Sequence, residues 1–459
     1  MSNIFTYQVT RGVYNNNGFP PPGGPSVSDP YGDRDELRPF LEVLDILSER
    51  YLEEISVDQL VDAAIKGMID QLDDPQTNFL DVSSWEEMMI KTTGSFSGIG
   101  IEIHSVDDYI TIIAPIKGTP GERAGLLAGD RIVEVDGQDI QGFTTMDAVK
   151  LMRGQEGTRV VLKVMRDGVR QPLTFEIVRG NIHMPSVFHS LLENKIGYIE
   201  ITNFDDETGE DFKVALMELE TKGMAGLILD LRDNPGGLLS EAVDVAQELL
   251  PAGPITHVVD REGEIINSYH SYGVAKAYPA VILVNGGSAS ASEIIAGAFQ
   301  DSGAGILVGT KTYGKATVQH LEGLSNSTGI KYTIAKYRTP AGRDIHGEGL
   351  VPDEVVELPK IFMTRYHMLT ADLNPGDENS SVFFLQQSLA GLGYNVTENG
   401  IFDSETEKAV RSFQTQQGIA VTGKVNQETR TKLQEEVSSI LEKSDTQKQK
   451  AIELIMERI

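Results

Sequence analysis

VILVNGGSASASEIIAGAFQDSGAGILVGTKTYGKATVQ, residues Val281 to Gln319, is the stretch whose pattern decides the fold. A continuous apolar, β-branched run from Ala280 to Val284 predicts a buried strand, and Asn285-Gly286-Gly287 predicts the turn that ends it. Ile294, Ile295 and Ala298 then recur at helical spacing from Ser290 onward, and Gly305 to Gly309 repeats the buried-strand pattern. Strand, helix and strand in that order build a unit of a parallel α/β sheet. Such units place chemistry at the carboxyl end of a strand and in the first turn of a helix, where the polar residues of this stretch fall.

Three of those residues carry a possible reaction. Ser290 would begin the helix, Lys315 lies 25 residues further on, and Gln319 four beyond that. Serine becomes a nucleophile when a base takes its proton, and lysine can replace histidine in that role. All eight histidines lie outside the serine turn, and only His320 adjoins one of the three residues. Free lysine, with a pKa of about 10.4, is protonated at neutral pH, so desolvation must supply on the order of 4 kcal/mol to free its lone pair. Ala316, Thr317 and Val318 are small or apolar enough to permit that burial. Plainer roles exist for the same residues: Ser290-Ala291-Ser292-Glu293 also reads as a capping box, and an isolated loop lysine is ordinarily solvated.

Together, NGGSASASEI and TYGKATVQ resemble the C-terminal processing peptidases, or tail-specific proteases, which carry serine, lysine and glutamine at this spacing. The resemblance implies that Ser290 is the nucleophile, Lys315 the general base in a Ser-Lys dyad, and Gln319 the residue that orients the lysine. The family usually has glycine after the lysine; this chain has Ala316.

A second glycine-rich turn stands ahead of that stretch. Gly226 to Leu231 reads as a buried strand, Arg232-Asp233-Asn234-Pro235-Gly236-Gly237-Leu238-Leu239 follows, and a helix runs from Ser240 to Leu250. Paired glycines let backbone approach a ligand with free amides, and acyl transfer needs two such donors for its oxyanion. The amide after the nucleophile, Ala291, is one; the resemblance implies Gly236 as the other. A tight strand-to-helix turn is the structural alternative. Asp230 and Asp233 lack the companions a metal site needs, and neither a metal nor another cofactor is expected. A histidine-based triad using His346 is a further alternative in the closing segment, Thr339 to Asp353.

Residues 93 to 179 resemble a PDZ domain, most specifically in AGLLAGDRIVEVDG. Such a domain captures a chain end with backbone amides while the bound tail adds as a strand. Ser97, Gly98, Ile99, Gly100 and Ile101 are the predicted peptide-binding nest. Arg153, at the end of the predicted helix Thr144 to Arg153, is read as exposed by default. After a linker at 371–378, the segment through Thr429 resembles the peptidoglycan-binding module of bacterial wall enzymes, three short helices with glycine turns. The usual DGxFG stands here as Asn399-Gly400-Ile401-Phe402-Asp403, so the fold is implied more firmly than the binding.

The expected architecture is multidomain α/β, with a crotonase-like (ClpP/crotonase-type) protease core, an inserted β-rich PDZ domain, an N-terminal helical segment and a C-terminal three-helix peptidoglycan-binding-like module. Its divisions are a disordered leader at 1–32, the helical segment at 33–90, the PDZ domain at 91–179, the core at 180–370, the module at 376–436 and a C-terminal helix at 437–459. Apolar positions of the first helices, Leu37, Phe40, Leu41, Leu44, Leu47 and Tyr51, read as core-facing. Trp85 reads as packing. Leu433, Val437, Ile440, Leu441, Ile452, Leu454 and Ile455 read as one last helix from Gln427 to Ile459 that packs on a partner subunit.

Composition narrows the partners. A net charge of -29 argues against nucleic acid and anionic membrane surfaces. With no cysteine, disulfides, thiolate metal sites and cysteine nucleophiles are excluded. The expected substrates are polypeptides recognised by a free C-terminus, with peptidoglycan as a second partner and a homodimer formed through the N-terminal and C-terminal helices. The resemblance implies an extracytoplasmic location, although the first thirty residues show no apolar signal core. Two other classes fit the same motifs: a catalytically silent peptide-binding scaffold, and a cell-wall-associated assembly factor.

Overall fold

The computed structural model describes residues 35–106, 108–365 and 369–459. The expected leader at 1–32 lies outside them. The core is a six-stranded sheet in the order Val187–Leu191, Ile196–Ile201, Gly226–Asp230, Ala280–Val284, Ile306–Gly309, Glu354–Val355. Its first pair is antiparallel and every later pair parallel. The strand, helix and strand expected around Ser290 are Ala280–Val284, Ala291–Ser302 and Ile306–Gly309.

Both faces of the central strands are covered, which explains their unbroken apolar runs. Helices Thr208–Thr221, Leu239–Leu249 and Ala291–Ser302 bury one face around Phe212, Leu229, Ile282 and Phe299. The opposite face packs on Ala451, Leu454 and Ile455 of the helix Thr446–Met456. Here the structure corrects the sequence reading. The long C-terminal helix is two, Gln427–Ser444 and Thr446–Met456, because the Asp445 side chain caps the second by accepting from the Lys448 amide at 2.9 Å. Ala451, Leu454 and Ile455 of the second helix are buried against this chain's own sheet.

A second sheet flanks the core. Its centre is the hairpin Thr317–Gly323 and Gly329–Arg338; along the other edge of the second strand, Asn78–Leu80 pairs at its start and Gly253–Val259 at its end, with Ile265–Ser271 beyond the latter. Trp85 lies against this hairpin: a Cβ added at Gly329 would come within 2.0 Å of its ring. The tryptophan therefore pins the helix Val82–Thr93 to this hairpin. By contrast, the helices Arg38–Arg50 and Val57–Asp70 bury no residue. Leu41 and Met68 are more than half exposed, so the stripe read as core-facing has no core beneath it.

The segment expected to be a PDZ domain forms a separate antiparallel sheet of Ile101–Val106, Tyr109–Pro115, Arg131–Val135, Arg159–Met165 and Leu173–Val178 around Ile112, Ile132 and Leu162. It leaves and re-enters the core through the paired strands Ser95–Gly98 and Gly180–His183. At the far end, helices Ser380–Gly391, Ser404–Gln416 and the start of Gln427–Ser444 enclose Leu385, Phe402, Phe413 and Leu433. Two buried glutamines brace the turns between them: Gln386 accepts from the amides of Asn399 and Gly400, and Gln414 accepts from that of Gly423.

Candidate active site

Ser290 sits where the strand Ala280–Val284 has turned into the helix Ala291–Ser302. An ordinary N-cap residue has extended backbone, whereas Ser290 has φ +54° and ψ -115°. That conformation is strained for a side chain bearing Cβ, and such strain is concentrated where a residue must be presented to a ligand. One arm of the capping pair anticipated from Ser290 and Glu293 is present, the Glu293 carboxylate accepting from the Ser290 amide while the Glu293 amide donates to the Ser290 carbonyl rather than to its hydroxyl, and that carboxylate does more than cap.

Glu293 is fully buried. One oxygen of its carboxylate accepts from the Ser290 amide at 3.0 Å and the Lys315 amide at 2.8 Å. The other accepts from the Gly314 amide at 2.8 Å and the Thr312 hydroxyl at 2.6 Å. A single carboxylate thus fixes the serine turn against the lysine loop. Tyr337 repeats the tie with its hydroxyl, which lies 3.0 Å from the Ser290 carbonyl and 2.9 Å from that of Lys315. Sequence reasoning assigned Glu293 only to a cap and did not single out Tyr337; a glutamate inside an otherwise apolar helix face was the available signal.

Ser290, Lys315 and Gln319 line one cavity of about 220 Å³, together with Gly236, Gly237 and Lys331. Burial, and next the positive charge of Lys331, hold the Lys315 amine below the ordinary lysine range; Asp74 and Glu293 oppose that shift. The Gln319 side-chain amide donates to the Thr317 hydroxyl at 2.7 Å. His346, the alternative base, is exposed, and its Nδ1 stands 3.4 Å from the Ala316 amide. It does not line the cavity.

The glycine turn approaches as closely as expected. A Cβ on Gly236, at φ +99°, would lie 2.7 Å from Ser290 Cβ and 2.9 Å from the Ala291 amide nitrogen. The Gly236 amide itself donates to Asn234 Oδ1 at 2.8 Å, while Asn234 Nδ2 donates to the Ile201 carbonyl. Among the described residues the amides of Gly237 and Ala291 donate to no acceptor.

In the PDZ domain, Gly98, Ile99, Gly100 and Ile101 line a groove with Ile103, Val149 and Met152. Gly100 has φ +72°, and a Cβ there would come within 2.3 Å of Thr119, so the turn demands glycine. Ser97 does not line the groove; its hydroxyl is buried without a partner. Arg153 does, with its guanidinium 4.8 Å from the centre of the Phe96 ring.

Four family models match the chain: peptidase family S41 at 195–356, a PDZ domain at 100–166, a putative peptidoglycan binding domain at 378–433 and the activating protease CtpB N-terminal domain at 24–84. The carboxy-terminal processing protease CtpA of Bacillus subtilis is 37% identical over 88% of this chain and 87% of its own length. The chain belongs to the carboxy-terminal processing proteases of peptidase family S41. This S41 protease is also 33% identical to CtpB of the same organism, over 93% of this chain and 91% of the relative. Among solved structures, a photosystem II D1 C-terminal processing protease is 32% identical, covers 71% of this chain and 94% of its own, and aligns with a TM-score of 0.42. As an S41 member the chain is a serine peptidase with a PDZ domain and a peptidoglycan-binding domain.

Proposed function

We propose that this peptidase hydrolyses polypeptides by a Ser-Lys-Gln constellation. Ser290 Oγ attacks the peptide carbonyl carbon and its proton passes to the Lys315 amine. Lys315 then protonates the leaving amine, and the acyl ester on Ser290 is released when water attacks with Lys315 again as base. Gln319 orients Lys315 from the adjoining strand. The developing oxyanion is held by the Ala291 amide and the glycine turn, with Gly237 offering the unengaged amide in this conformation and Gly236 a second once Asn234 releases it. The observation that carries this reading is a half-buried lysine and a strained serine on the walls of one cavity, both tied to Glu293.

The PDZ groove supports recognition of a free C-terminal tail, since a glycine-bearing loop beside apolar side chains suits a carboxylate followed by an apolar residue. We read the core as crotonase-like, the C-terminal module as a three-helix unit that contacts peptidoglycan, and the site of action as outside the cytoplasm. A second copy of the chain would cover the unburied helices Arg38–Arg50 and Val57–Asp70, which leave apolar side chains in water.

The deciding experiment incubates wild type, Ser290→Ala and Lys315→Met with an unstructured protein and with a short peptide ending in either a carboxylate or an amide. Wild type should cleave both carboxylate substrates, and the two variants neither. Equal turnover by Ser290→Ala would end the reading. Absence of cleavage by all three, with peptide still bound, would favour the silent scaffold.

A further inference from the structure

We propose that Lys331 is a positioning residue of the hydrolytic reaction, a second lysine whose ammonium shapes the environment in which Lys315 serves Ser290. The inference rests on the dyad reading above and adds a residue to it.

The hairpin register puts the two lysines together. In the pairing of Thr317–Gly323 with Gly329–Arg338, Gln319 stands opposite Thr333 and Leu321 opposite Lys331. Opposed residues of an antiparallel pair share a face, as do residues two apart on one strand. Gln319, Leu321, Lys331 and Thr333 therefore project to one side, and the first three line the cavity that holds Ser290 and Lys315. Lys331 is half-buried there, and no carboxylate lies within 4 Å of its ammonium or that of Lys315 among the described residues.

The charges around the pair are unequal, and the inequality gives each lysine its part. Lys315 faces Lys331 from the hairpin, Asp74 from the loop before Asn78–Leu80, and Glu293 from its own helix. Glu293 already accepts four hydrogen bonds. Lys331 faces Asp74 and, from the helix Val82–Thr93, Lys91. Asp74 accepts from the hydroxyls of Thr77 and Thr333 at 2.7 Å each and from the Gln76 amide at 2.9 Å; these bonds keep it ionised against the opposing effect of its burial, with His346 as the remaining facing group. Thr333 is thus the point at which the hairpin anchors the aspartate beside Lys331. Two amines confined to one cavity do not titrate independently. Burial also holds the Lys331 amine below the ordinary lysine range, an effect that Asp74 opposes and Lys91 reinforces. On this proposal the shared proton stays on the amine beside Asp74 and Thr333 and leaves the one beside the serine, as in other enzymes where a neighbouring cation activates a lysine.

The test is the pH profile of kcat/KM for wild type, Lys331→Met and Lys331→Arg on a neutral peptide and on one with an acidic residue near the cleaved bond, with thermal melts as the control for folding. Lys331→Met should move the limb on which activity rises with pH upward by roughly one unit, a loss of about tenfold on that limb. Lys331→Arg, which retains the charge, should leave the limb in place. An unmoved limb in a folded Lys331→Met overturns the proposal. So does a loss confined to substrates carrying an acidic residue near the cleaved bond, which would make Lys331 a substrate anchor. Either result leaves the dyad standing if Ser290→Ala is inactive, so the two readings fail separately.

Discussion

Arg232 is held by Asp445, 213 residues away in sequence: its two terminal guanidinium nitrogens donate to the two carboxylate oxygens at 2.9 and 2.8 Å. The same guanidinium also clasps Asp230, at the end of the central strand, through Nε and a terminal nitrogen. Gln447 adds its side-chain oxygen as an acceptor at 3.1 Å. Arg232 begins the loop that runs through Asn234 to the glycine turn, so the C-terminal helix is tied to the segment that approaches Ser290. Both side chains are nearly buried, and the two carboxylates push the arginine further toward its charged form even though burial opposes it.

Asp445→Ala should therefore destabilise the core by about 3 kcal/mol, the low end for breaking a buried ion pair, because Asp230 remains to partner the arginine. The fluorescence of the single tryptophan, which packs from the helix Val82–Thr93 against Gly329 of the hairpin, reports the urea transition. The midpoint should fall and activity should fall with it at urea concentrations well below that midpoint. A midpoint equal to wild type would mean that the clasp contributes nothing.

Glu293→Gln tests the tie between the serine turn and the lysine loop. All four bonds to this carboxylate come from donors, and glutamine would turn an NH₂ group toward two of them. An ångström of misalignment between reacting groups costs on the order of 100-fold. Turnover should fall by at least that factor with KM little changed. A variant that keeps kcat within threefold of wild type would show that Tyr337 alone maintains the alignment.

The pH dependence has a definite sign. Only the neutral amine can take the Ser290 proton, and burial followed by the Lys331 charge lowers the Lys315 pKa. Activity should rise as pH rises through that lowered ionisation and level off above it, at a pH below that of free lysine, about 10.4. Lys315→Arg should be inactive at every pH, since guanidinium stays protonated. A limb centred at the free-lysine value would show that the amine is solvated during turnover.

How much of this was legible in the chain depends on whether the cause is local. The strand, turn and helix around Ser290 were, because Ala280–Val284 and Ile294, Ile295 and Ala298 carry their own periodicity. The proximity of Asp74 to Lys331 was not, since it follows from Asn78–Leu80 pairing with a strand some 250 residues later, Asn78 opposite Lys331. The break at Asp445 was legible in principle: an aspartate caps the helix that follows, but apolar residues on both sides read as one run. The exposed face of Arg38–Arg50 shows the converse, where a clear helical period says nothing about what covers it.

Gly329 offers a test of packing between the N-terminal segment and the hairpin. Its φ is not the constraint; the Trp85 ring occupies the space where a side chain would stand, with Cε3 2.0 Å and Cζ3 2.5 Å from an added Cβ. Gly329→Ala must push the indole away, and overfilling a packed contact costs about 1–3 kcal/mol. Because Gly329 opposes Leu80 and Gly323, the displacement falls on the strand Asn78–Leu80 and hence on the loop that carries Asp74. The expected outcome is a shifted tryptophan emission together with a change in the pH profile of the kind expected for Lys331→Met, smaller in size. Trp85→Phe combined with Gly329→Ala should recover part of the wild-type pH profile, the readout left once the single tryptophan is gone, since the smaller ring leaves room for the methyl group. An emission shift with an unaltered pH profile would separate the packing of this segment from the electrostatics of the cavity.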